Sequence, residues 1–266
     1  MLRPDYIPAS ETQRNHRLEP GALADRVVVV TGATGGLGTA LCRALGAAGA
    51  TLALLGRDES KLDKLHDALV AGGAAPPLIV PFAQERAGET EHAELAAGLH
   101  ETLGAIDALV HASAAFVAPM PMATIGQAEW ARVFAVNLGA ARLTTLACLP
   151  HLEASSLASV TFLLDDRGGA YWGPYGVSKR AVHALMQMLA DEREGRRDAC
   201  GHPRLAINGY DPGAMRTPLR RRAFPGELER ETPPPDARLG PLLALIARED
   251  RSLNGAAIHH EGESAA

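Results

Sequence analysis

From Arg26 onward, short apolar runs alternate with longer stretches in which apolar positions recur every three or four residues. The runs fall at 27–30, 51–55, 78–82, 108–110, 160–164, 205–207 and, more weakly, 256–258, and are read as strands. Helical periodicity covers about 37–48, 58–71, 88–103, 126–150 and 174–194, with 236–249 before the last strand. The strand cores do not alternate apolar with polar, as expected where both faces are covered. Such alternation of elements predicts right-handed crossovers and an α/β fold: one doubly wound parallel sheet of about seven strands, with helices on both faces. Residues 1–24, with Pro4, Pro8 and Pro20 and no periodic apolar face, read as an N-terminal arm. Residues 25–266 show no linker or repeat and read as a single domain.

Composition narrows the classes. A chain of 266 residues with net charge −5 lacks the basic footprint of a nucleic-acid binder, although Arg220-Arg221-Arg222 forms a local basic run. No apolar stretch approaches the roughly 20 residues that span a bilayer, so no membrane partner is expected. Met1-Leu2-Arg3-Pro4-Asp5 lacks the apolar core of a secretory signal, which predicts a cytoplasmic protein. Cys42, Cys148 and Cys200 are far apart, so neither a disulfide framework nor a metal site is expected.

The first strand leads through Thr31-Gly32-Ala33-Thr34-Gly35-Gly36-Leu37-Gly38 directly into a helix. Gly32 suits a tight turn, Gly36 lets backbone approach a pyrophosphate and Gly38 allows close helix–strand contact. Phosphate oxygens would meet unpaired N–H groups at the positive end of the helix dipole. Gly32, Thr34, Gly35, Gly36, Leu37 and Gly38 are therefore candidate dinucleotide contacts, and the sheet is of the Rossmann type. Further on, Tyr175 and Lys179 stand four apart on one helix face. A phenol titrates near pH 10; a nearby ammonium and a nicotinamide cation would favour its ionised form and lower that value.

The loop resembles TGxxxGxG, the cofactor motif of the short-chain dehydrogenase/reductase family. Tyr175-Gly176-Val177-Ser178-Lys179 resembles its YxxxK motif, Asn137 its helix asparagine, and Pro212-Gly213-Ala214-Met215-Arg216-Thr217 its PGxxxT segment. The resemblance covers residues 26 to about 260. The texts around Gly56-Arg57 and Trp172-Gly173 resemble a bacterial YciK-like subgroup. The resemblance implies hydride exchange between a nicotinamide cofactor and a small carbonyl or alcohol. It makes Tyr175 the acid/base, Lys179 its tuner and Asn137 a water-holding relay residue. It puts Ala112, Pro212, Gly213 and Thr217, with Tyr175 and Lys179, at the cofactor. It also implies a homodimer or homotetramer built on the apolar helices at 126–150 and 174–194.

Three departures stand out. The family's catalytic serine, about thirteen residues before the tyrosine, has no counterpart; Asp165 occupies its place if the loop is shortened. A protonated Asp165 could donate to a carbonyl, and an ionised one could accept from a substrate hydroxyl. Alternatively, Asp165 or Asp166 caps a turn and the serine's role is lost. The NNAG segment reads His111-Ala112-Ser113-Ala114, where His111 is read as a packed core histidine and Ser113 as a buried small residue. The third strand ends without the aspartate that touches adenine. After the second strand stands Arg57, suited to a charge-assisted bond with a ribose 2′-phosphate, so NADP(H) is favoured over NAD(H). Asp58 serves equally as a helix N-cap. The segment 214–235, rich in Arg and Pro, suits a substrate lid. An NADP(H)-dependent carbonyl reductase or alcohol dehydrogenase fits these features. A dinucleotide-binding sensor or scaffold without turnover is the alternative, prompted by the missing serine.

Overall fold

In the strand Val27–Thr31, Val28 and Val30 enter one apolar layer and Val29 the opposite one, so an unbroken apolar run fits a strand covered on both sides. The computed structural model describes residues 6–260. Its strands are β1 Tyr6–Pro8, β2 Val27–Thr31, β3 Thr51–Gly56, β4 Leu78–Pro81, β5 Ala108–His111, β6 Ala158–Leu163, β7 Leu205–Asp211 and β8 Ala257–His259. All pair in parallel in one sheet, ordered β4-β3-β2-β5-β6-β7-β8-β1. The helices are α1 Glu11–Asn15, α2 Gly36–Ala47, α3 Glu59–Ala71, α4 Glu89–Leu103, α5 Gln127–Phe134, α6 Ala141–Ala154, α7 Gly173–Asp191, α8 Pro218–Ala223 and α9 Gly240–Ala247. Leu41 and Leu45 of α2, Leu62 of α3 and Leu242 of α9 fill the layer on one face. Leu99 of α4, Cys148 and Leu152 of α6, and Val182 and Met186 of α7 fill the other.

Seven strands match the expected runs, and an eighth comes from the N-terminal arm. Tyr6–Pro8 pairs with β8, and the Ala9 N–H extends the ladder to the His259 carbonyl at 2.8 Å. Three residues are too few to show a period, and Pro8, which lacks an N–H, is tolerated because β1 is an edge strand. Ser10 then opens α1 with a reciprocal capping box with Gln13.

The region expected as one helix at 126–150 is α5, a π-helical segment over 135–140, and α6, which accommodates Pro150. Contrary to the expectation that no stretch approaches bilayer length, Gln127–Ala154 is long and apolar enough to do so by length and composition. Its most apolar window is 44% buried inside the protein, where α6 packs on α4 and β5.

Candidate functional site

The strand order reverses between β2 and β5, and there the carboxyl ends of neighbouring strands open a crevice. Gly32 makes the turn out of β2 with φ +66°, and any Cβ on it would lie 2.6 Å from the Ser113 backbone nitrogen beyond β5. Both the positive φ and this approach require glycine. The turn closes with a Gly35 N–H to Gly32 carbonyl bond of 2.9 Å, and α2 starts at Gly36 with no side-chain cap. The first-turn N–H groups of Gly36, Leu37 and Gly38 have no acceptor within the helix. The Leu37 side chain is buried in the core, so only its backbone faces the crevice. Thr34 and Gly35 form the rim. A Cβ on Gly36 would lie 2.7 Å from the Thr217 methyl carbon, so the segment after β7 arches onto the loop. Thr217 also caps α8, accepting the Arg220 N–H at 3.1 Å. These features, a glycine turn and an open helix terminus at the switch point, fit a dinucleotide.

On the same edge, β6 ends at Leu163 and turns through Asp165, while α7 brings Tyr175 and Lys179 beneath the turn. The Tyr175 hydroxyl donates to Asp165 Oδ2 at 2.8 Å. Asp165 Oδ1 accepts the Arg167 N–H at 3.1 Å, so the same carboxylate also closes its turn. Lys179 Nζ donates to the Leu163 carbonyl at 2.7 Å and lies 5.8 Å from the Tyr175 ring centroid. Tyr175 and Lys179 are both buried. Asp211, at the end of β7, accepts from the N–H groups of Asp166 at 2.9 Å and Gly213 at 2.8 Å. It places a second carboxyl beside Asp165. Pro212 is buried next to it, and Gly213 takes φ +67°.

Electrostatics here depart from the expectation for the tyrosine. Burial, together with the charges of Asp165 and Asp211, raises the Tyr175 pKa well above its usual value instead of lowering it. Burial lowers that of Lys179, opposed by the same two carboxylates. Burial also raises Asp165, opposed by the hydrogen bond from Tyr175, and raises Asp211, where the charge of Asp165 adds to the effect.

Asn137 lies in the π-helical segment, buried. Its Oδ1 accepts the Ala115 N–H at 2.7 Å, and its Nδ2 donates to the Ala115 carbonyl at 3.1 Å and to Ser178 Oγ at 2.9 Å. The side chain is thus largely occupied in bracing backbone. A cavity of about 10 Å³ touches both Asn137 and Lys179, and Thr31, Gln84, His111 and Ser113 also line it. That is about the space one water requires, with polar partners on several sides.

His111 behaves as a core residue: its Nε2 meets Thr145 Oγ1 at 2.8 Å, its ring stacks on Phe162, and burial depresses its pKa to about 3. Ser113, read as a buried residue, is partly exposed and accepts from Gln84 Nε2 at 2.8 Å. Ala112 continues β5 through an N–H to Thr31 carbonyl bond of 3.2 Å. Arg57 follows β3, and its Nη1 donates to Glu85 Oε1 at 2.9 Å; Asp58 caps α3 by accepting the Lys61 N–H. Gln84, Glu85, Arg167 and Asp211 were not singled out by the sequence: Gln84, Glu85 and Asp211 meet partners brought close only by folding, and Arg167 closes a turn on Asp165 two residues before it.

Fold, glycine turn and tyrosine–lysine helix define the dinucleotide-binding α/β oxidoreductases. The short-chain dehydrogenase family model matches residues 26–228, and the chain belongs to that family and is an oxidoreductase. It is 30% identical over 231 residues to the uncharacterised oxidoreductase YciK of Escherichia coli, covering 86% of this chain and 88% of that one. A short-chain dehydrogenase structure from Pseudomonas syringae is similar at a TM-score of 0.86, with 35% identity over 92% of this chain and 98% of the other. A short-chain dehydrogenase from Shigella flexneri, complexed with NADP, matches at a TM-score of 0.85 and 28% identity, covering 91% and 99%.

Proposed function

We propose that the protein is a carbonyl reductase or alcohol dehydrogenase favouring NADP(H), with Tyr175 as acid/base and Asp165 as its proton partner. The observation that carries this reading is the Tyr175–Asp165 hydrogen bond of 2.8 Å above a buried Lys179, at the sheet edge where the glycine loop opens. Gly32, Thr34, Gly35, Gly36, Leu37 and Gly38 would hold the pyrophosphate, and Ala112, Pro212, Gly213 and Thr217 the ribose and nicotinamide side. Arg57 would meet a 2′-phosphate, as the NADP-bound relative from Shigella flexneri supports. The cofactor, when bound, supplies or takes the hydride.

In reduction, the Tyr175 hydroxyl gives its proton to the developing alkoxide, and Lys179 stabilises the phenolate left behind. Asp165, whose pKa burial raises, then takes up a proton from solvent and passes it to the phenolate, which restores the Tyr175-to-Asp165 hydrogen bond of the resting site. In oxidation the steps reverse, and ionised Asp165 accepts the proton from Tyr175. A water in the small cavity lined by Asn137 and Lys179 would extend the relay from Lys179, with Asn137 fixing the cavity wall.

Residues 214–235 act as the substrate lid. Phe224 lies 5.9 Å from Trp172 between ring centroids, and Trp172 in turn lies 6.1 Å from Tyr175. Arg220 is paired bidentately with Glu227 at 2.6 and 2.7 Å, so it braces the lid and is not held out for an anion.

A second reading, binding without turnover, takes the same bond the other way: with its hydrogen turned to Asp165, the Tyr175 hydroxyl does not present it to a substrate. The test is single-turnover hydride transfer with NADPH and a panel of carbonyl compounds, comparing wild type with Tyr175→Phe. Transfer by wild type and its loss in the variant, with NADPH binding retained, supports the enzyme mechanism. Equal transfer by both removes Tyr175 from it, and no transfer by wild type leaves the binding-only reading.

A further inference from the structure

Arg57 stands just past the end of β3, and β4 pairs with β3 so that Gly56 lies opposite Pro81. The turn after β4 therefore delivers Glu85 to the same edge. Arg57 Nη1 and Glu85 Oε1 are 2.9 Å apart, and the two side chains are unequally anchored: Arg57 is 62% exposed and Glu85 only 16%. The carboxylate is the sheltered member of the pair and the guanidinium the exposed one.

We infer that Glu85 is a specificity-determining residue, an internal carboxylate that holds Arg57 and competes with a ribose 2′-phosphate for it. The inference rests on the cofactor reading given above. A guanidinium has five N–H donors, and Glu85 engages one nitrogen, so a phosphate can either share the fork or displace the carboxylate. Either way it meets a fixed negative charge within a few ångströms, and its attraction to Arg57 is offset by repulsion from Glu85. A cofactor with a free 2′-hydroxyl feels neither effect strongly. Glu85 thus weakens NADP(H) selectively and narrows the gap to NAD(H). Because exposed ion pairs are individually weak, it trims the preference without reversing it. The same charge would make the preference sensitive to ionic strength.

The experiment is a fluorescence titration of the folded protein with NADPH and with NADH at low salt, using wild type, Glu85→Gln, Glu85→Ala, Arg57→Ala and Arg57→Ala/Glu85→Gln. Both Glu85 variants are expected to tighten NADPH by roughly three- to fivefold while NADH stays within about twofold. When Arg57 is also alanine, the part of the gain that comes from competition for the guanidinium should be lost, leaving only the direct repulsion between Glu85 and the phosphate. Weaker NADPH binding in Glu85→Gln would mean that the carboxylate positions Arg57 for the phosphate, and equal shifts for both cofactors would mean a general effect; each overturns the inference. The cofactor reading fails separately, if wild type binds neither cofactor or if Arg57→Ala leaves the NADPH/NADH ratio unchanged. A lowered ratio in Arg57→Ala with no gain in either Glu85 variant sinks the Glu85 inference alone.

Discussion

At the scale of single residues, the site turns on where one proton sits. Tyr175 donates to Asp165, whereas the motif pairs such a tyrosine with a hydroxyl residue. Removing the phenol oxygen in Tyr175→Phe should lower the hydride-transfer rate by about 10²–10⁴, the usual weight of a positioned general acid, with NADPH affinity unchanged. Asp165→Ala should cost about tenfold or more in rate, and Asp165→Ser should recover much of it, because a hydroxyl can also hold Tyr175 and face a carbonyl. Stopped-flow NADPH oxidation reads all three.

His111 gives a residue-scale prediction about stability. Its pKa in the fold is depressed to about 3 from an unfolded value near 6.5. The unfolded chain therefore binds the proton more readily, and the contribution of neutral His111 is complete above pH 6.5 and lost as pH falls toward 3. Urea midpoints of His111→Asn measured between pH 7 and 4 should fall less steeply than those of wild type. Parallel profiles would show that His111 carries no such linkage. The glycines, the tyrosine–lysine spacing and Arg57 were legible at this scale because each residue type has a chemical reason to stand where it does. The upward shift of Tyr175 was not legible: it comes first from burial, then from Asp165, and to a lesser degree from Asp211, 36 positions away, which β7 delivers beside Asp165.

At the scale of elements, helix and strand positions followed from hydrophobic period, with small differences at their ends. The exceptions have local causes. β1 and the unexpected helices α1 and α8 are too short to show a period, and the π-helical segment does not interrupt the apolar pattern that suggested one helix. Arg248 holds elements together at the opposite end of the sheet from the site. It adopts φ +59° at the end of α9, and its guanidinium donates to the carbonyls of Ala158 at 2.8 Å, Pro203 at 2.8 Å and Arg251 at 3.0 Å. This ties α9 to the start of β6 and to the approach to β7. Arg248→Met would take this donor from the buried carbonyls of Ala158 and Pro203 and should cost about 2–4 kcal/mol in chemical denaturation. NADPH affinity should not change; a loss there would mean that the clamp shapes the crevice as well.

At the scale of the whole molecule, α6 and α7 leave Leu146, Val177 and Met188 38%, 44% and 63% exposed. Apolar side chains on two neighbouring helices are suited to a second copy of the chain. Light scattering at micromolar concentration should give a dimer or tetramer mass, and Val177→Glu/Met188→Glu should shift it toward the monomer. A monomeric wild type would remove this part of the reading.

The sequence by itself determined the doubly wound parallel sheet, the glycine turn and the pairing of Tyr175 with Lys179. Each rests on local chemistry: buried apolar runs, a backbone turn that suits glycine, and a four-residue helical repeat. Tertiary structure alone decided that the arm would add an edge strand, that the Tyr175 hydroxyl would donate to Asp165 and that Glu85 would hold Arg57. Those contacts join residues 10 to about 250 positions apart, and no local period or motif encodes a distance that only the strand order and the packing of the layers create.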